Sequence, residues 1–175
     1  MPILGTVASQ FSGKSFSSYD SIATITVTSG GTATIDFDSI PSTYTHLQIR
    51  YSATANAGSN LFIRMNGDTG SNYRNHALTS YGYALDTGTD TNRMIGIVQP
   101  TYPGLGVVDL LDYKNTSKYK VVKFISGSDS NGGTRRNRIG SVLWKNTTAV
   151  TRLEITSDGT IEQYSKFALY GIKGA

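Results

Sequence analysis

The feature that most constrains this chain is an apolar residue at every second position, in one short run after another. Ala23, Ile25 and Val27 alternate with threonines, and beyond Ser29-Gly30-Gly31 the set Ala33, Ile35 and Phe37 alternates with Thr34, Asp36 and Asp38. Successive side chains of an extended chain point to opposite faces, so each run predicts a half-buried strand. Read as a hairpin, the two runs pair Val27 with Ala33, Ile25 with Ile35 and Ala23 with Phe37. Such pairs share a face only across a loop of odd length, which selects a three-residue Ser-Gly-Gly link with Gly31 left-handed. Leu47, Ile49 and Tyr51 then oppose His46, Gln48 and Arg50, and Leu61, Ile63 and Met65 oppose Phe62 and Arg64 before Asn66-Gly67-Asp68 turns the chain.

Residues 67–92 show no clean period and read as the longest irregular region, with Tyr73–Ser80 the one stretch that could carry a short helix. Further strands are expected at Met94–Val98, Gly106–Tyr113, Tyr119–Ile125, Ile139–Trp144, Ala149–Thr156 and Ser165–Ile172, with a polar loop at 126–138. The nearly continuous apolar runs of 106–113 and 119–125 suit central strands covered on both faces. The chain has two glutamates against 22 threonines, 20 serines and 19 glycines. That excludes a helical bundle, which needs strong helix formers. The expectation is an all-β, antiparallel, jelly-roll-like β-sandwich of about nine strands. Its 175 residues suit one core: residues 20–175 form the domain, and residues 1–19 an extended N-terminal arm. Ile3, Leu4, Val7, Phe11 and Phe16 make that arm more apolar than a solvated tail requires, and they are the candidate assembly contacts.

The chemistry available is narrow. With no cysteine, disulfides, thiolate metal sites and cysteine nucleophiles are excluded. No run approaches the ~20 apolar residues of a membrane span, and the opening MPILGTVASQ lacks the basic start and apolar stretch of a secretory signal. A net charge of +4 is thin for a nucleic-acid binder. His46 falls on the polar face of its strand, and His76 has no carboxylate or serine at a recognisable spacing. Asp86 and Asp90 lack the alternate spacing and closing glutamate of a calcium loop. The glycine-rich stretches lack the following helix and Lys-Ser/Thr of a phosphate loop. No catalytic, cofactor or metal residue is nominated, and the chain reads as a non-enzyme; a cell-wall hydrolase would need two close carboxylates in a cleft. The recognition candidates are loop residues: the tyrosines Tyr81, Tyr83 and Tyr102, with Tyr73 nearby, and the arginines Arg135, Arg136 and Arg138, whose guanidinium forks suit phosphates or carboxylates. Trp144, beside Val142 and Leu143, belongs to the core.

Several segments carry a family resemblance: SIATITVTSGG and IDFDSIP within 21–41, YTHLQIR (44–50), LFIRMNGDTGSNYRNH (61–76), VVDLLDYKNTSKYK (107–120), LWKNTTAVTRLEIT (143–156) and YSKFALYGIKG (164–174). Together they resemble small virion structural proteins of tailed bacteriophages, notably marine and cyanobacterial ones, and the opening MPILGTVAS is similar to the N-termini of several of them. The resemblance covers most of the chain. It implies a jelly-roll-like sandwich on a phage particle, assembled in the host cytoplasm. It further implies a homotrimer contacting major capsid or tail proteins, as a decoration or cement protein or a tail accessory. The alternative is a receptor- or carbohydrate-binding module of a tail or fibre, engaging host surface glycan through Tyr81, Tyr83, Tyr102 and the arginine loop.

Overall fold

The structure, a computed structural model, describes residues 18–57, 59–81, 84–90, 93–129, 131 and 136–174. The chain is all-β, with no helix among the described residues. Its strands are β1 (Tyr19–Thr26), β2 (Thr32–Phe37), β3 (His46–Ala53), β4 (Ser59–Met65), β5 (Tyr73–Tyr81), β6 (Ala84–Asp90), β7 (Met94–Val98), β8 (Gly104–Leu111), β9 (Lys120–Ser128), β10 (Arg136–Trp144), β11 (Leu153–Ile161) and β12 (Lys166–Ile172). They form two antiparallel sheets, eight strands in the order β1-β12-β3-β8-β9-β10-β5-β6 and four in the order β2-β11-β4-β7. The expected β-sandwich is present, with more strands than the nine read from the sequence. Tyr19, assigned to the arm on sequence grounds, opens β1.

The alternation works as expected. Leu47, Ile49 and Tyr51 of β3, Leu61, Ile63 and Met65 of β4, and Leu153 and Ile155 of β11 point between the sheets and are almost fully buried. They meet Val122 and Phe124 of β9, Val142 and Trp144 of β10 and Phe167 and Leu169 of β12. Tyr51 stacks on Phe167 with 5.7 Å between centroids. Gly96 of β7 lets the sheets close over this ring, since a Cβ there would overlap the Tyr51 hydroxyl.

The expected hairpin is overturned. β1 pairs with β12, Ile25 opposite Phe167, whereas β2 pairs with β11, Ile35 opposite Ile155. The Ser-Gly-Gly link therefore carries the chain from the large sheet to the small one. Gly31 does take the left-handed conformation, with φ of 69°, and a Cβ there would strike Ile161 O at 2.7 Å. Both apolar runs face one core from opposite sides, an arrangement that gives the same period as a hairpin.

The region read as irregular, 67–92, contains the β5–β6 hairpin, and Tyr73–Ser80 is strand, not helix. Its inward positions hid the pattern because Asn75 and Thr79 are polar yet buried. The expected loop 126–138 also shrinks, because the β9–β10 ladder runs out to Ser128 opposite Arg136. β8 and β9 are central strands, but one face of each lies open: Leu105 is 57% exposed and Ile125 56%.

Two polar knots fix one end of the sandwich, where Trp144 of β10 lies opposite Lys120 of β9. Asp68, in the turn after β4, accepts hydrogen bonds from Trp144 Nε1 at 2.6 Å, Asn72 Nδ2 at 2.8 Å and the Gly70 amide at 2.8 Å. Burial pushes its carboxyl upward, but these donors outweigh that and hold it below the usual range. The turn thus ties β4 of the small sheet to β10 of the large one. Lys120 is wholly buried, and its ammonium donates to the carbonyls of Asn115, Lys118 and Thr147 at 2.5, 3.0 and 2.9 Å. It binds two loops with backbone oxygens as its partners.

Candidate functional site

The open side of the large sheet is where chemistry and exposure coincide. Cross-strand register places Leu78 opposite Ile139, Ile139 opposite Ile125, Ile125 opposite Val107, and Val107 opposite Arg50. All five occupy the outward parity of β5, β10, β9, β8 and β3. Leu78, Ile125 and Ile139 are 39%, 56% and 53% exposed. They form a continuous apolar row across the middle of the sheet, widened by Leu105 one step along β8.

The row is not flat. Gly127 sits outward between Leu105 and Asn137, and the missing side chain opens a depression of about 460 Å³ lined by Arg50, Leu105, Val107, Ile125, Gly127 and Asn137. A second, of about 230 Å³, lies between Leu78, Ser80, Ile125, Asn137 and Ile139. Both are shallow and mostly apolar, shaped for side chains of a partner more than for an enclosed small molecule.

At the β1 end the row meets a held arginine. The Arg50 guanidinium lies 5.4 Å from the Tyr19 ring centroid and 5.1 Å from that of Tyr170. Its Nε donates to Gln48 Oε1 at 2.7 Å, and Gln48 Nε2 donates to Asp109 Oδ1 at 2.7 Å. A relay from Asp109 through Gln48 thus presents the guanidinium between two tyrosines. Apolar centre, tyrosine and fixed arginine at the edge are the residue types enriched where proteins bind proteins.

The outer face of the small sheet is the contrary case. Arg152 Nε donates to Asp36 Oδ1 at 2.8 Å and lies 3.0 Å from Asp38 Oδ1, while its NH2 group is bound to Asp36 and reaches Glu154 at 3.3 Å. Arg64 meets the same Glu154 oxygen at 3.4 Å. The hydrogen bond from Arg152, against some desolvation, holds the Asp36 carboxyl below its ordinary range. Three carboxylates gather here, and Arg152 bridges them. Among the described residues no group of three or more histidine and acidic side chains is placed to hold a metal ion.

The residues singled out on sequence grounds fare unevenly. Ile3, Leu4, Val7, Phe11, Phe16, Tyr83 and Arg135 lie outside the described residues. Tyr81 ends β5, where its backbone pairs with Arg136. Tyr102 is exposed, and its hydroxyl accepts a bond from Asn131 Nδ2 at 3.2 Å. Arg136 opens β10 and is half-buried. Arg138 is no outward loop residue: it lies inward on β10, buried, donating to Asn75 Oδ1 at 3.0 Å and Thr79 Oγ1 at 3.2 Å. Tyr73 is buried too, its hydroxyl accepting from the Met65 amide at 3.1 Å. Trp144 is core as expected, stacked on Tyr73 at 6.5 Å. His46 accepts from the Asp112 amide at 2.9 Å, and exposed His76 lies opposite Ser141 on the open face.

Sequence reasoning missed the outer face. Its signal was present: β8 and β9 carry apolar residues at both parities, and that pattern was assigned to strands covered on both sides. Compared with known proteins, the chain matches no family model, no curated protein and no solved structure.

Proposed function

We propose that this chain is a structural component of a bacteriophage virion, an exposed decoration or cement protein or a small tail accessory, that works through protein–protein contacts made by the open face of its large sheet. The observation that carries the reading is the row Leu78–Ile139–Ile125–Val107, a band of aliphatic side chains across four neighbouring strands, three of them exposed and Val107 half-buried. Contiguous exposed apolar surface of this kind marks an interaction site. The charged face opposite pairs Asp36, Asp38, Arg64, Arg152 and Glu154 largely with one another.

Strand order supports the same reading. Setting aside β5, β6, β9 and β10, the chain passes from sheet to sheet at every step except β4 to β7, to give β1-β12-β3-β8 facing β2-β11-β4-β7. That order is consistent with the double Greek-key wrapping of a jelly roll widened at one edge by two hairpins, an architecture common among viral shell proteins, and it supports the reading. The resemblance of several segments to phage virion proteins supports placing it on the particle.

The test is incorporation. Ile125→Asp combined with Ile139→Asp puts two charges into the row while leaving the core untouched, so the folded chain is expected to form normally by circular dichroism. Purified particles from an infection supplied with this variant are expected to carry it at less than one tenth of the parental copy number, an interface loss of ~1.4 kcal/mol or more. Parental incorporation of the folded variant overturns the assignment of the face.

A further inference from the structure

Residues 1–17 precede the described part of the chain, and they hold Ile3, Leu4, Val7, Phe11 and Phe16 with a single charged side chain, Lys14. The chain enters β1 at Tyr19, whose ring lies on the open face against Arg50. We propose that the apolar row of the large sheet, Val107, Ile125, Ile139 and Leu78 with Leu105, is the docking site of the chain's own N-terminal segment, residues 3–16, held intramolecularly. The inference does not depend on the virion reading; it rests on where the segment starts, how far it reaches and what it is made of.

Reach comes first. Neighbouring strands are ~4.8 Å apart, so β9 and β5, four and six strands from β1, lie roughly 19 and 29 Å across the sheet. Tyr19 pairs with Ile172 while the apolar row runs level with Ala168. That offset adds roughly 13 Å along the strand, giving straight paths of about 23 Å to Ile125 and 32 Å to Leu78. An extended chain covers ~3.3 Å per residue. Phe11, eight residues before Tyr19, therefore reaches about 26 Å, and Val7, twelve before, about 40 Å. The first attains Ile125 and the second Leu78.

Composition fits as well. The segment's large residues are separated by Gly, Ser, Thr and Ala, so laying it down buries aliphatic and aromatic groups in the depressions beside Gly127 and Asn137 with one charge to keep in water. Tethering does the rest. A segment joined by a few residues meets its site at an effective concentration in the millimolar range, so even weak contacts keep it bound. A partner that uses this face must displace the segment or pack upon it.

The absence of cysteine makes the test direct. Ser9→Cys in the full chain takes one nitroxide, and methyl-labelled NMR reads which isoleucines and leucines it approaches. The Ile125, Ile139 and Leu78 methyls are expected to lose most of their intensity, while Ile35 and Ile155, under the small sheet, keep theirs. The loss is expected to persist when labelled chains are diluted into unlabelled, nitroxide-free chains. Unbroadened Ile125 and Ile139 methyls overturn the proposal. So does broadening that appears only between different chains, which assigns the site to the segment of a second copy. Both readouts use the unaltered face and no particle, so failure here is distinct from failure of the incorporation test.

Discussion

The two outer faces of the sandwich are built from the same kind of strand and come to opposite ends. On the small sheet, β2, β4 and β11 put Asp36, Arg64 and Glu154 outward, and Arg152 joins them with Asp38 into one ion-pair network that leaves Arg64 Nε and Glu154 Oε2 without a hydrogen bond among the described residues. On the large sheet, β5, β8, β9 and β10 put Leu78, Leu105, Ile125 and Ile139 outward, where nothing among the described residues satisfies them. A face whose groups are consumed internally needs only water. A face of aliphatic carbon in water is a standing free-energy cost, recovered when something covers it. The difference shows that exposure alone is a poor guide to function. What separates the faces is how far their own groups pair with one another.

The sharpest way to break the comparison lies within two consecutive residues of β9. Phe124 points into the core and is 3% exposed, while Ile125 points to the open face. Phe124→Ala is expected to cost about 3–5 kcal/mol in urea unfolding, by lost burial and a cavity. Ile125→Ala, where only the weakly held N-terminal segment is proposed to pack, is expected to cost about 1 kcal/mol or less. If Ile125→Ala costs as much as a core truncation, something in the isolated chain covers the row strongly enough to count as core, and the open face is not open.

The second prediction concerns the closed face. Glu154 is 5% exposed and serves both Arg64 and Arg152. Glu154→Gln removes the charge while keeping the shape, and the weakened pairing of a buried group is expected to cost roughly 1–3 kcal/mol, seen as a lower urea midpoint with an unchanged slope. A neutral result would mean that the network is held by Asp36 and Asp38 alone, and the face is less complete than its geometry indicates.

How far the sequence carried the fold follows from the same contrast. Period-two alternation showed which residues share a side, and Ile35, Leu47 and Ile63 are where it put them. It could not show which strand lies next door, so β1 and β2 were joined in a hairpin although they belong to different sheets. β5 was invisible because its inward residues include Asn75 and Thr79, which satisfy Arg138 instead of packing as aliphatics. Arg138 was placed outside because arginine is seldom buried; the partners that bury it come from β5, 59 and 63 residues earlier in the chain. The open face was written in β8 and β9 as apolar residues at both parities. A single sequence cannot say whether a second apolar side is covered by the chain itself, by another molecule or by water.

The smallest effect is the pH dependence of the closed face. The hydrogen bond from Arg152 keeps Asp36 ionised below its ordinary range, so its folded pKa is lower than its unfolded value of about 3.9. A carboxylate depressed on folding contributes stability above the unfolded value, and that contribution is lost as pH falls through the folded one. Both partners are partly exposed, at 40% and 33% of side-chain surface, so solvent screens the pair and the effect is a small fraction of the Phe124 loss. Urea midpoints of the parent and Asp36→Asn are expected to differ near neutrality and converge as pH falls below the ordinary carboxylate range. Ile139→Thr, on the open face where no carboxylate is involved, is expected to leave the acid limb of the curve unchanged. Added salt sharpens the separation, because it screens the Arg152 network and strengthens apolar contact. A parent and Asp36→Asn that stay apart at low pH would show that Asp36 acts through packing and not through its charge, and the two faces would then differ in shape more than in chemistry.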